Sequence, residues 1–221
     1  MRLAVPDNLQ RNTPTVAAVG HEHTGELLMK LVMRRLGIEN LADVDILDVG
    51  CGVRFAQTIV NRNIAVKSYT GLEVFVPIVD FLNENLASHD PRFRFHHWNV
   101  HNAMYNRGGV ALSTFETLPT TESFDLIWLF SVFTHLNPDD ALAMLRLLRK
   151  PLRPNGTLFF SAFIDDELTG FEDRDKENPL LLATYGRECM ESLIESAGWR
   201  IDGSFERDQS NWIQHYFVCS A

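Results

Sequence analysis

The chain has 221 residues, a length that suits one large α/β domain better than two small ones. Its hydrophobic share of 45% and aromatic share of 10% supply a real core. The formal net charge of -9 argues against generic binding to nucleic acid or to acidic membrane surfaces.

Residues 1–20 hold Pro6, Asp7, Asn8, Arg11, Asn12 and Pro14, and no apolar core suited to a signal peptide. They read as an irregular arm. A helix is expected from His23 to Leu36, with Leu27, Leu28, Leu31 and Val32 as its apolar face and Gly37 as its stop. Val44 to Val49 is a short apolar strand of the buried parallel kind. A helix carrying Phe55, Ile59 and Val60 follows, then a strand from Ser68 to Glu73. Phe75 to Ala87 reads as a helix with Pro77 in its first turn. Phe93 to Trp98 is a third strand, followed by a long loop from Asn99 to Ser123.

Phe124 to Phe130 is the fourth strand. Asn137-Pro138-Asp139-Asp140 is a helix start, with an Asn cap, proline at the first position and acids in the first turn. Pro154-Asn155-Gly156 turns the chain into a fifth strand, Thr157 to Phe163. Residues 164–180 crowd acids and read as a solvated excursion. Helix resumes from Tyr185 to Ala197, and two last strands, Trp199 to Phe205 and Trp212 to Cys219, are joined by a hairpin loop at Glu206 to Ser210. Strands alternating with helices predict a parallel sheet covered on both faces, and the hairpin makes the final strand antiparallel. No apolar run is long enough to span a bilayer. Cys51, Cys189 and Cys219 are far apart without metal spacing, which predicts reduced thiols in a cytoplasmic protein.

The chemistry concentrates after the first strand, in Asp48-Val49-Gly50-Cys51-Gly52-Val53-Arg54. Gly50 and Gly52 let the backbone turn tightly and approach a ligand with no Cβ in the way. The Asp48 carboxylate repels a pyrophosphate and attracts an ammonium or sulfonium group, which points to a cationic, amino-acid-bearing cofactor. A dinucleotide fingerprint needs glycine where Phe55 stands. No Gly-x-Ser-x-Gly elbow and no Walker loop is present, which removes hydrolase and phosphate-transfer readings.

Asp48-Val49-Gly50-Cys51-Gly52 resembles the first motif of class I S-adenosylmethionine-dependent methyltransferases, with either Arg54 standing where the third glycine would be or that glycine missing. The terminal hairpin fits the same resemblance, which covers roughly Leu41 to Ser220. It implies a Rossmann-like α/β three-layer sandwich with a seven-stranded, mostly parallel sheet and an antiparallel last strand. Residues 41–221 are then the methyltransferase domain, and residues 1–40 an arm and helix serving as a cofactor or substrate lid. Asp48, Gly50, Cys51 and Gly52 fall at cofactor-binding positions. Glu73, some twenty residues past the glycine loop, inherits the acid that holds the ribose, a task its oxygens suit as acceptors of both hydroxyls.

Asn99 stands where the family usually has an Asp on the adenine amino group, and Val100 lies against the adenine face. Phe130-Ser131-Val132-Phe133-Thr134-His135 resembles the segment beside the methionine portion, which gives Phe130 and Ser131 to the cofactor and makes His135 the candidate general base. His21-Glu22-His23 resembles a metal cluster, but its histidines point apart and no third ligand is placed, so a helix-entry or lid role is the better reading.

The implied activity is methyl transfer from S-adenosylmethionine to a small-molecule acceptor, a hydroxyl if His135 is the base. No nucleic-acid partner is implied, and a homodimer is admitted. Two other classes stay open: a non-catalytic S-adenosylmethionine-binding protein, and a nicotinamide-dependent oxidoreductase.

Overall fold

Runs of buried apolar residues, such as Ile46-Leu47 and Leu126 to Leu129, form strands here because their aliphatic and aromatic side chains pack on both faces of a sheet. The computed structural model describes residues 2–10, 14–205 and 214–221. The chain divides into two compact units, Met1–His97 and Trp98–Ala221.

The first unit holds three parallel strands, β1 (Leu41–Val49), β2 (Val66–Glu73) and β3 (Phe93–His97), in the order β3-β2-β1. Its helices are α1 (Pro14–Val19), α2 (His21–Leu36), α3 (Arg54–Asn61) and α4 (Val76–Leu82). With α3 and α4 as crossovers, β1 to β3 make the βαβαβ half of a Rossmann-like fold. The helix expected through Ala87 changes to a π turn at Asn83–Ala87, where Asn83 Nδ2 donates to Phe95 O. Asp45 is buried within β1 at a tolerable cost because Lys67 Nζ and Ser68 Oγ on β2 both donate to it, at 2.7 and 2.6 Å.

Two expectations fail in the amino-terminal segment. The arm is not irregular: a 3-10 turn at Asp7–Leu9 and the helix α1 organise it, and Leu3, Val5 and Leu9 are buried. The cause is Asn61, at the end of α3. Its Oδ1 accepts from Leu3 N at 2.7 Å and its Nδ2 donates to Leu3 O at 3.0 Å, so one amide stands in for a neighbouring strand. Within α2, Leu27 is 40% exposed, and the buried residues are Thr24, Gly25, Leu28, Met29, Leu31 and Val32. Gly25 sets that packing, since a Cβ there would lie 2.3 Å from Thr58 Oγ1, so α2 packs directly on α3. Gly37 ends α2 in the left-handed conformation, as expected.

In the second unit β4 (Phe124–Leu129) and β5 (Leu152–Asp165) run parallel, joined through α5 (Pro138–Leu148). Asn137 caps α5 as expected, accepting from Asp140 N at 2.9 Å. Pro154-Asn155-Gly156 is no turn between elements but an irregularity inside β5, where pairing jumps from Phe124 with Leu152 to Leu126 with Thr157 and Asn155 takes a φ of 66°.

The acidic stretch is likewise structured. It contains β6 (Phe171–Asp173), which pairs antiparallel with β7 (Ala183–Gly186), and β7 runs parallel to the end of β5. Burial of Ala183, Thr184 and Tyr185 drives this, and the Tyr185 hydroxyl donates to Leu136 O. The next helix, α6 (Arg187–Ser196), therefore starts later than Tyr185. The last strands, β8 (Arg200–Phe205) and β9 (His215–Ser220), pair antiparallel, and β9 runs antiparallel to β5. The expected hairpin loop and Trp212 lie outside the described residues. The described strands number nine rather than seven, β6 and β7 being the additions.

Asn61 is the main polar anchor of the arm, with Gln57 Nε2 adding a longer bond to Leu3 O, so Asn61→Ala is expected to cost about 1–3 kcal/mol, because it strands the Leu3 amide. Chemical denaturation measures this. A loss below about 0.5 kcal/mol, the range of ordinary surface changes, would show that apolar burial alone holds the arm.

Candidate functional site

At the carboxyl end of β1 the backbone enters the left-handed region twice, at Gly50 (φ 70°) and Gly52 (φ 50°), which any side chain would oppose. The loop is tied to β2 at both points. Gly50 N and Cys51 N donate to Leu72 O at 2.8 and 3.1 Å, and Gly52 N donates to Glu73 Oε2 at 2.9 Å. Glu73 Oε1 accepts from Val74 N and Phe75 N at 2.9 and 3.0 Å. Glu73 is 2% exposed, and these three amide bonds satisfy its buried oxygens. A Cβ at Gly52 would meet no protein atom within 4 Å, so the outer side of the loop is open. Cys51 points the other way. Its Sγ would lie 2.7 Å from a Cβ at Gly71, so a glycine on β2 makes room for it.

Asp48 is 1% exposed and accepts a hydrogen bond from the buried Tyr69 hydroxyl. Burial and the charge of Asp48 together raise the Tyr69 pKa well above its ordinary range. Tyr69, a β2 residue with no motif around it, is a partner the sequence did not signal.

Arg54 opens α3, and its Cγ would lie 3.3 Å from a Cβ at Gly25 of α2. Burial lowers its pKa, opposed by the charge of Asp48. Across from it, His21 Nδ1 lies 2.8 Å from Gln57 Oε1. Gln57 Nε2 faces Leu3 O at 3.4 Å, which fixes the amide orientation and makes His21 Nδ1 the donor. Glu22 is spent structurally, on Asn61 Nδ2 at 2.8 Å and Arg62 Nε at 3.3 Å.

In the second unit, the loop after β3 is closed by Asn106, whose Nδ2 donates to Asn99 Oδ1 at 2.9 Å and to Val100 O at 3.0 Å. Asn99 is exposed, and Val100 is 7% exposed. Trp98 is buried edge-on against Phe115, with ring centroids 5.8 Å apart. Half-buried Phe130 lies against Phe159 and Tyr216, at 5.7 and 6.4 Å between centroids.

Ser131, which follows Phe130, is exposed and has a φ of 58°, a conformation costing a serine about 1–2 kcal/mol. A closed set of bonds holds it there. Ser131 N donates to Ser161 Oγ at 3.0 Å, Ser161 Oγ to Gln214 Oε1 at 2.5 Å, and Gln214 Nε2 to Ser131 Oγ at 2.8 Å. His135 stands in the 3-10 turn Phe133–His135, with its Nδ1 2.9 Å from Leu180 O. A carbonyl only accepts, so Nδ1 carries a hydrogen.

The acids after β5 are engaged locally. Asp165 and Glu172 pair with Arg174, Asp166 pairs with Arg187, and Asp173 accepts from Leu180 N at 2.8 Å. Among the described residues no helix is long and apolar enough to cross a membrane, and no His, Cys, Asp and Glu group is arranged to hold a metal ion.

A family model for a methyltransferase domain matches residues 47–158, half the chain. The mitochondrial ubiquinone biosynthesis O-methyltransferase of Candida albicans is 26% identical over 166 residues, 75% of this chain and 46% of that protein. The chain thus spans about half the length of the curated relative it matches. Among solved structures, an S-adenosylmethionine-dependent methyltransferase of Leishmania major superposes with a TM-score of 0.65 at 17% identity, covering 94% of this chain and 77% of that one. The CcbJ methyltransferase of Streptomyces caelestis gives 0.59 at 15% identity, covering 91% and 89%. At these identities the structures bear on the fold alone.

One prediction follows from His21. Burial lowers its pKa from the ordinary 6.5, with Arg54 lowering it further and the bond to Gln57 and the charge of Glu22 opposing. Just below the ordinary value the unfolded chain therefore binds more protons here than the folded one, so stability falls as the pH drops through that window. Thermal denaturation between about pH 7 and about pH 5.5 should show a steeper loss for the native chain than for His21→Asn. Equal slopes would remove His21 as the cause.

Proposed function

This chain belongs to the methyltransferase-domain family, and from that premise we propose that it transfers the methyl group of S-adenosylmethionine to a hydroxyl of a small-molecule acceptor. The observation that carries this reading is the glycine loop, held open on its outer side and pinned beneath by the Glu73 carboxylate. The fit to the cofactor rests on that loop: two left-handed glycines, a space that a Cβ at Gly52 would enter, and a carboxylate at the end of the neighbouring strand.

When bound, S-adenosylmethionine supplies a methyl group already activated by a sulfonium, so the residues of the chain have chiefly to bind and align. Gly50, Cys51 and Gly52 bring backbone close to the amino-acid end. Asp48, buried beneath the loop, adds negative charge at the strand end. Glu73 accepts from the ribose hydroxyls, since a carboxylate oxygen takes more than one donor. Asn99, held in place by Asn106, turns its amide to the adenine amino group, and Val100 lies against the ring. Phe130 and Ser131 border the methionine portion. Residues 1–40 act as a lid.

His135 accepts the acceptor's hydroxyl proton at Nε2, its ring held in the required tautomer by Leu180 O. The oxygen acceptor is favoured because an amine needs no such base. It also agrees with the Candida albicans relative, which is named as an O-methyltransferase.

Titration calorimetry with S-adenosylhomocysteine, with NAD as control, tests the cofactor: binding of the first alone is expected, and binding of NAD alone would overturn the reading. A panel of phenols, alcohols and amines then tests the acceptor. His135→Gln is expected to leave S-adenosylhomocysteine binding intact and to lower hydroxyl methylation by about 10²-fold or more. Undiminished turnover would remove His135 as the base, and turnover of amines alone would overturn the oxygen assignment.

A further inference from the structure

The acidic stretch between β5 and α6 reaches back to His135 through a residue in an unfavourable conformation. Leu180 has a φ of 61°, in the left-handed region that a leucine rarely takes. With Pro179 it occupies the centre of a turn closed by the bond from Leu181 N to Asn178 O at 3.0 Å. A proline followed by a residue of positive φ is the pattern in which glycine ordinarily holds the second place. Leucine in that place persists only where its surroundings fix it.

Two bonds fix Leu180 from opposite sides. Its N–H donates to Asp173 Oδ2 at 2.8 Å, and its carbonyl accepts from His135 Nδ1, 2.9 Å away. Asp173 is itself set by the strand ladder, as the last residue of β6, opposite the fully buried Ala183 of β7. Its Oδ1 is buried without a hydrogen-bond partner. A buried carboxyl oxygen left unmet is costly, so its retention points to the bond that the other oxygen makes. The turn that carries His135 is anchored separately, by the Tyr185 hydroxyl of β7 on Leu136 O. Loss of the Asp173 bond therefore frees the partner of the ring and leaves the backbone beside His135 tied to β7.

We propose that Asp173 is the positioning residue for His135. By holding Leu180 in the left-handed conformation, it aims the Leu180 carbonyl at Nδ1, so that in the neutral ring Nε2 is the nitrogen that accepts a proton. This rests on the reading of His135 as the base and deepens it, because a base that works at Nε2 needs its hydrogen on Nδ1. The strands β6 and β7 then serve the chemistry without touching the acceptor: they carry the acid that sets the carbonyl that sets the ring.

The test reads the ring itself and needs no acceptor. The chain, with its histidines labelled by the heavy nitrogen isotope, is examined by NMR above the titration of the ring, where the two nitrogens report which of them holds the hydrogen. His135→Gln assigns the signals. The native chain is expected to show His135 with its hydrogen on Nδ1. Asp173→Ala is expected to lose that single form to a mixture of the two, and Asp173→Asn, which keeps an acceptor for Leu180 N, to retain it. Leu180→Gly gives the turn a residue that takes a positive φ freely, so adding it to Asp173→Ala is expected to restore the Nδ1 form. An acid that merely stabilised the fold would show no such rescue. A native ring with its hydrogen on Nε2, an unchanged ring in Asp173→Ala, loss of the Nδ1 form in Asp173→Asn, or a double variant no better than Asp173→Ala overturns the proposal. Asp173→Leu, which fills a similar volume with no acceptor, is read in the same way if Asp173→Ala does not fold. The reading of His135 as the base falls separately: normal turnover in His135→Gln would remove it and leave the positioning of the ring intact.

Discussion

The first unit is organised around one buried carboxylate. Glu73 accepts from the amides of Gly52, Val74 and Phe75, and so fastens the turn after β1 to the turn after β2. Its negative charge is tolerable at 2% exposure because charge-assisted bonds replace the water it gave up. Everything said about ligand approach depends on that fastening. Gly50 and Gly52 supply the conformations, Leu72 O holds the loop at Gly50 and Cys51, and Glu73 fixes it at Gly52.

A second layer of packing lies behind the loop. Gly25 lets α2 settle on α3, which sets Arg54 beneath α2 and His21 against Gln57. The arm extends this layer, because Asn61 holds Leu3 at the other end of α3. In the second unit the corresponding device is a side-chain ring. Ser161 and Gln214 keep Ser131 in a conformation that serine alone would leave. Leu180 O does similar work for His135, fixing which nitrogen holds the proton. In each case a residue of chemical interest is positioned by a partner remote in sequence.

That separation explains what sequence reasoning reached and what it missed. The glycine loop, Glu73, the Asn137 cap and the antiparallel last strand were legible because each is written in adjacent residues or in a short fixed spacing. The arm was not: Leu3 and Val5 alternate over too few residues to mark a strand, and the placement of Leu3 depends on an asparagine far along the chain. The strand β6 hid inside an acidic run and β7 just after it, because they are three and four residues long and the nearby carboxylates pair locally with Arg174 and Arg187. Leu27 was misplaced because Gly25, not a large apolar residue, faces α3 and turns the buried stripe. Tyr69 and Gln214 carry no signal at all without the fold that brings them to Asp48 and Ser131.

The central claim is that Glu73 both builds the glycine loop and receives the ribose. A crystal structure of the chain with S-adenosylhomocysteine, at a resolution that places the ribose hydroxyls, tests this most directly. The account predicts both hydroxyls on the Glu73 carboxylate, with the bond from Gly52 N still in place. A ribose held by other residues, or a Glu73 that abandons Gly52 to reach it, would contradict the account.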